Sequence, residues 1–280
     1  MSTPLQSRLA DRFGDHPQDP GLESVPDLWT HLAGRSSCRR FTDEPVDIAL
    51  LETLSALALC SPTKSDLQQR DIIVVEDEAI RARLSTLLTG GRLGQDWIEG
   101  APRLLVFCGN NRRQRLVHTW RGHPFVNDHL DAFFNAAVDA GIAMTAFILA
   151  AEAAGLGCCP ISAIRNQADT VSDILNLPDH VFPVCGLAVG WPQFQPPISP
   201  RLGLGTTLHR DCYSEDDLHE AVETYDRRRN LTRPFSTQRG EERFGTHADY
   251  GWSEDKARQY AEPEREDFGR FVRAKGFRLD

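Results

Sequence analysis

The stretch "NDHLDAFFNAAVDAGIAMTAFILAAEAAGLG", from Asn127 to Gly157, constrains this chain more than any other. Its length and alanine content predict a single helix of about seven turns, stopped at Gly155. The second half is apolar on nearly every face, which predicts a place in the middle of a core. Its unbroken apolar run, Ala140 to Ala151, is about twelve residues, whereas a membrane span needs about 20. The expectation is a buried helix, with no membrane span, around which the rest of the fold is built.

Three short apolar runs read as buried strands: "DIIVV" (71–75), "RLLVFCG" (103–109) and "VFPVCGLAVG" (181–190). Asp47 reads as the N-cap of "IALLETLSALAL", in which Ile48, Leu51, Leu54 and Ala58 keep helical spacing. Residues 24–33 read as a short helix, and "AIRARLSTLL" and "ADTVSDILNLP" add two more. Strands alternating irregularly with helices around one long helix predict the α+β class. Residues 1–23, polar and without sustained periodicity, predict a flexible arm ahead of a core over 24–192. After Trp191-Pro192 comes a proline- and glycine-rich connection, then two polar amphipathic helices at 214–228 and 253–276. This extension, 193–280, has too little apolar content to fold alone and is expected to wrap the core or a partner subunit.

Composition excludes several functions. Forty acidic against 31 basic residues give a net charge of −9, which argues against a non-specific nucleic-acid grip. The seven cysteines include no C-x-x-C pair, and several sit in apolar runs as small core residues. Their odd number, with no secretory segment, predicts a reducing cytoplasm. His118, His123 and His129 are spaced by five and six, which stacks no imidazoles on one helix face, so no metal site is expected. There is no P-loop and no G-x-S-x-G, and "GLGTT" from Gly203 lacks a dinucleotide fingerprint.

What remains are three polar loops. "RSSCRRF" sets Arg35 and Arg39 four apart with Ser36 and Ser37 between them, "SPTKSDLQQ" leads into a strand, and "SPRL" carries Arg201. A solvated surface explains each one alone. Together they offer anion-binding groups around an apolar core, as a phosphorylated cofactor with an apolar ring requires.

The order of these pieces resembles a known family. "RSSCRRF", "SPTKSDLQQRDIIVV", "APRLLVF", the alanine-rich helix, "AAGLGCCPISAIRN", "ILNLPDHVFPVCGLAVGWP" and "PPISPRL" follow one another as in the FMN-dependent nitroreductase superfamily. The branch most resembled is that of oxygen-insensitive NADPH nitroreductases and NADPH:flavin oxidoreductases. Its C-terminal extension is matched by Tyr225-Asp226, Arg239, Trp252-Ser253 and Phe271…Phe277.

The resemblance implies a mostly antiparallel sheet flanked by helices in an intertwined homodimer, with FMN at the subunit interface and NADPH or NADH as electron donor. It places Arg35, Ser36 and Ser37 at the phosphate and ribityl end and Arg39 at the N1/O2 edge of the ring. Thr63, Ser65 and Asp66 would edge the isoalloxazine. Pro160, Ile161, Ser162 and Ala163 would run past its N5 side, and Arg201 would clamp the phosphate. Arg239 and Arg265 fall where the branch contacts nicotinamide or substrate. Four positions depart from the pattern: Ser199 replaces a phosphate-loop lysine, Arg92 a glutamine, Ser162-Ala163 a glycine pair, and Asp66 an aromatic.

The function implied is a cytoplasmic FMN-dependent NAD(P)H oxidoreductase. It would reduce a quinone, a nitroaromatic or free flavin by ping-pong hydride transfer through the flavin, with no catalytic side chain. The alternatives are a non-catalytic flavin-binding or regulatory relative, and a flavin-based dehalogenase or flavin-fragmenting enzyme.

Overall fold

A computed structural model describes residues 3–15, 17, 21–89 and 95–280. Arg92, expected beside the flavin, lies outside the described residues. The chain forms two compact units: residues 37–196 with 265–280, and residues 1–36 with 197–264. The sequence reading placed the core over 24–192 and the extension over 193–280; by compactness, residues 265–280 group with the larger unit.

The larger unit is built on a four-stranded sheet of β1 (Arg70–Val75), β2 (Arg103–Asn110), β3 (Gly157–Ile161) and β4 (Val181–Gly190). Their order is β1-β2-β4-β3, and every neighbouring pair is antiparallel. Alternation along β2 explains why it reads as continuously apolar. Leu104, Val106 and Cys108 join one core with Leu84 and Leu88 of α4 (Glu78–Thr89) and Val171 of α7 (Ala168–Ile174). Leu105 and Phe107 point the other way, into a core with Leu51 and Leu54 of α3 (Ile48–Leu59) and Ala143, Phe147 and Ala151 of α6 (Leu130–Ala153). A strand covered on both faces has no polar positions to alternate with.

Helix α6 is the predicted long helix, 24 residues with His129 as N-cap. Its buried residues Ala132, Ala136, Asp139, Ala140, Ala143, Phe147 and Ala151 form one stripe, and the alanines let the helix approach the sheet closely. The sequence placed the second half of α6 in the middle of a core, and there Ala143, Phe147, Ile148 and Ala151 are buried in one, whereas Leu130, Phe134 and Val138 of the first half are exposed. By length and composition alone α6 could cross a membrane, but its stripe packs on a sheet and carries a buried carboxylate, as in a core helix.

Two elements of this unit escaped the sequence reading: β3, made of the unpromising "GCCPI", and α5 (Arg112–Arg121). The C-terminal α12 (Phe268–Ala274) returns Phe271, Val272 and Phe277 to a third core with Ala136 and Phe182.

In the smaller unit, residues 4–13 are not an arm but a helix, α1 (Pro4–Phe13). Thr3 and Gln6 close a reciprocal capping box, and Pro4 opens the first turn. Arg8 and Arg12, four apart and so on one face, both reach back to α2 (Asp27–Gly34): Arg8 donates to Thr30 O at 2.6 Å and Arg12 to Ala33 O at 3.0 Å. The extension contributes α8 (Leu204–Thr207), α9 (Leu218–Thr232), α10 (Glu241–Phe244) and α11 (Trp252–Tyr260). Asp226 of α9 caps α11 by accepting the Ser253 N–H at 3.1 Å. The single helix expected over 253–276 is therefore two, α11 and α12, with Pro263 between them unable to continue a helical ladder.

Candidate functional site

In the smaller unit, Arg35 and Arg201 wall one cavity of about 610 Å³, and they are joined there by Arg12. Leu32, Tyr225 and Trp252 supply its apolar side. Arg12 is only 7% exposed. Its guanidinium donates to Ala33 O, to Arg35 O at 2.5 Å and to Ser199 O at 3.2 Å. Burial, followed by the nearby charges of Arg201 and Arg35, holds its pKa below the ordinary arginine value. A cluster of like charges at a half-open cavity is costly by itself and becomes favourable when an anion enters.

The Ser199-Pro200-Arg201 loop is tied down along its length. Arg12 takes the carbonyl of Ser199, Tyr225 Oη donates to that of Pro200 at 3.2 Å, and Arg228 takes that of Arg201. The Arg201 N–H in turn donates to Arg12 O at 2.6 Å. Arg233 donates to the Ser199 hydroxyl, so a guanidinium meets the side chain that stands where the branch carries a lysine. Ser36 Oγ donates to Pro197 O at 2.8 Å, holding the start of the same loop to the "RSS" turn. Sequence reasoning found Arg35, Ser36 and Arg201 but missed Arg12, Arg228 and Arg233. For Arg12 a signal existed, since Thr3-Pro4 followed by Gln6 marks a helix start.

In the larger unit, β3 is an edge strand, and the segment holding Ser37 and Arg39 lies along it. The Cys38 N–H donates to Cys158 O at 2.9 Å. Contact here is close: a Cβ on Gly157 would stand 2.6 Å from the Cys38 Cβ, which only glycine permits. Ser37 lies beside the Cys159 thiol, whose pKa burial pushes up to about 11. The structure thus brings Ser37 and Arg39 to the strand that ends in Pro160, Ile161, Ser162 and Ala163. Arg39 is exposed and stacks over Trp97 with its Cζ 5.7 Å from the ring centroid.

Arg265, in a left-handed conformation (φ 58°), joins the same end of β3. It donates to Asn166 Oδ1 at 2.9 Å and to Ser162 Oγ at 3.4 Å. Arg239 is engaged differently. Its Nε lies 3.4 Å from buried Asp255, and its N–H donates to Tyr250 Oη at 2.9 Å. That network ties residues 239–258 together.

The loop carrying Thr63, Ser65 and Asp66 is not brought to Pro160–Ala163 within one chain. It precedes β1, and β1 and β3 are opposite edges of the sheet, three strand spacings or about 14 Å apart. The loop is strained, with Ser65, Asp66 and Gln68 at φ 48°, 54° and 53°. Buried Asp139 of α6 holds it by accepting the N–H groups of Lys64 and Gln69.

In the smaller unit the tri-arginine cavity suits a phosphate dianion, and in the larger unit the edge strand with a cation beside it suits the polar rim of a flavin ring. The model of the nitroreductase family matches residues 32–191, and that of the family's C-terminal domain matches 199–280. An oxygen-insensitive NADPH nitroreductase of Salmonella typhimurium is 35% identical over 211 residues, spanning 74% of this chain and 84% of that protein. An FMN reductase [NAD(P)H] of Bacillus subtilis is 32% identical over 200 residues, 70% of this chain and 78% of that one. The solved structure of B. megaterium NfrA2 superposes with a TM-score of 0.81 at 30% identity, covering 91% of this chain and all of that one. Over nearly its whole length, therefore, the chain belongs to the nitroreductase family.

Proposed function

We propose that this chain is an FMN-dependent NAD(P)H oxidoreductase whose acceptor is a small aromatic molecule: a quinone, a nitroarene or free flavin. Relatives named as an FMN reductase [NAD(P)H] and an NADPH nitroreductase support the reading. The observation that carries it is the cavity where Arg12, Arg35 and Arg201 converge beside an apolar wall.

FMN supplies the hydride chemistry when bound. The chain's own residues bind, orient and polarise. Arg35, Ser36 and Arg201 take the phosphate, and Ser199 shapes their loop. Arg39 sets a positive charge at the ring edge, where it favours the reduced, more negative form. Ser37 and the backbone of Pro160–Ala163 orient that edge. Arg265, reaching Ser162, is the cation placed for an anionic donor or acceptor. Arg239 is assigned to the nicotinamide nucleotide or substrate through the position of its loop. No side chain serves as acid or base.

The active form is a homodimer. Thr63, Ser65 and Asp66 sit at the far edge of the sheet from β3, so they edge the ring only as a second copy's loop. Phe134 of α6 is 60% exposed, and a groove along α6 is lined by Leu57, Val138, Ile142 and Leu149. An apolar face of that kind on a core helix suits a second copy. Five buried free thiols suit a cytoplasmic location.

Absorption spectroscopy tests the proposal. The purified protein, supplied with FMN, should hold it and show a bound-flavin spectrum. Anaerobic NADPH or NADH should bleach that spectrum, and a quinone, nitroarene or flavin should restore it. A protein that takes up no FMN defeats the reading. One that binds FMN but is bleached by neither nicotinamide is a flavin-binding relative instead.

A further inference from the structure

The N-terminal helix makes contacts that an appendage would not make. Arg12 is the last but one residue of α1, yet its side chain is among the most buried charged groups in the chain. It projects into the junction of two segments otherwise distant in sequence, the C-terminal end of α2 and the 199–201 loop. Among the described residues its partners are carbonyls only: Ala33, Arg35 and Ser199. Among the described residues it meets no carboxylate. Burying a guanidinium without a counter-charge is unfavourable unless something else supplies the negative charge.

Two physical consequences follow from where those donors go. The carbonyls of Ala33 and Arg35 lie at the negative end of α2, and the fork of Arg12 neutralises them beside the Arg35 side chain. The bond to Ser199 O then fixes the loop that presents Arg201. The main chain of residue 12 completes the lock. Its carbonyl accepts the Arg201 N–H at 2.6 Å and Arg228 Nη1 at 3.1 Å. One residue thus ties Arg35 and Arg201 into the same cavity wall and adds a third positive charge to it.

We propose that Arg12 is a positioning residue of the phosphate site, and that α1 is thereby a working part of cofactor binding. In this chain the lysine expected at position 199 is absent. Arg12 restores charge from one side of the loop, and Arg233, on the Ser199 hydroxyl, restores it from the other. The inference rests on the flavin reading above and concerns only the phosphate end.

The phosphate is what distinguishes FMN from riboflavin, so the ratio of their affinities isolates it. Wild-type protein stripped of flavin is titrated with each, following flavin fluorescence, and is expected to prefer FMN. Arg12→Ala should lower FMN affinity by about tenfold or more, the range of a lost charge-assisted contact, and leave riboflavin affinity unchanged. Arg12→Lys keeps a charge but cannot span three carbonyls, so it should fall between the two and guards against a variant that fails to fold. Removal of residues 1–15, which also takes away the carbonyl of residue 12, should lower FMN affinity at least as much as Arg12→Ala. An unchanged FMN-to-riboflavin ratio in Arg12→Lys and Arg12→Ala overturns the proposal. So does an equal loss of both ligands, which is what a purely structural role would give. Failure of the wild type to bind either flavin would instead defeat the functional reading itself.

Discussion

Asp139 accepts the backbone N–H of Gln69 at 3.1 Å from the middle of α6, and the same carboxylate takes the Lys64 N–H at 3.0 Å. Both ends of a loop with three left-handed non-glycine residues therefore hang on one side chain that is 1% exposed. The loop is the one assigned to the ring of a second copy's flavin, so its shape is set by α6 rather than by its own sequence.

Replacing that clamp should be costly. Asp139→Ala leaves two backbone N–H groups without partners, at about 1–3 kcal/mol each. Asp139→Asn keeps one acceptor and should lose about half as much. Urea unfolding measures both. The loop should also open locally, so amide exchange at Lys64 and Gln69 should speed up more than in the neighbouring strand. Unchanged exchange there would show that the loop holds its shape without Asp139.

The C-terminal return predicts a pH effect. His180 donates its N–H to Lys275 O at 2.8 Å, its ring meets Gly276 O at 2.9 Å and stacks edge-on against Phe277. Burial, then the charge of Arg115, lowers its pKa below the ordinary histidine value, against the opposing pull of Asp179 and Asp128. Between that lowered value and about 6.5 the unfolded chain binds a proton that the folded chain does not. Stability should therefore fall as pH drops through this window. His180→Gln, which can still donate to a carbonyl, should flatten that part of the curve of Tm against pH. Parallel curves would assign the effect to other groups.

Arg39 and Arg40 are adjacent and both exposed, but only Arg39 stacks on Trp97. Arg39→Ala should weaken FMN retention and slow its reduction by NAD(P)H with little change in Tm. Arg40→Ala should do neither. Stopped-flow bleaching and equilibrium dialysis separate the two variants, and equal behaviour would remove Arg39 from its role at the ring edge.

Phe134 tests the dimer. An aspartate there puts a charge on an apolar helix face that is exposed in the single chain. Phe134→Asp should shift sedimentation toward the monomer at micromolar concentration and release FMN, while far-ultraviolet dichroism stays the same. A variant that remains dimeric would place the interface elsewhere.

Local pattern alone determined a good part of this protein. The helices at 48–59, 78–89 and 130–153 and the strands at 70–75, 103–110 and 181–190 follow from apolar pattern, because each element buries a continuous set of its apolar positions. Motif order was enough to name the family. Tertiary structure decided the rest. "GCCPI" is a strand because β4 offers it a ladder, not because its residues prefer one. The strain at Ser65, Asp66 and Gln68 persists because a carboxylate on α6 holds the loop ends. Above all, Arg12 gains its meaning from Ser199, which lies 187 residues away along the chain. A hydrogen bond across that separation leaves no periodic trace in either segment. Only folding brings the donor and the carbonyl together, and with them a second guanidinium beside Arg201.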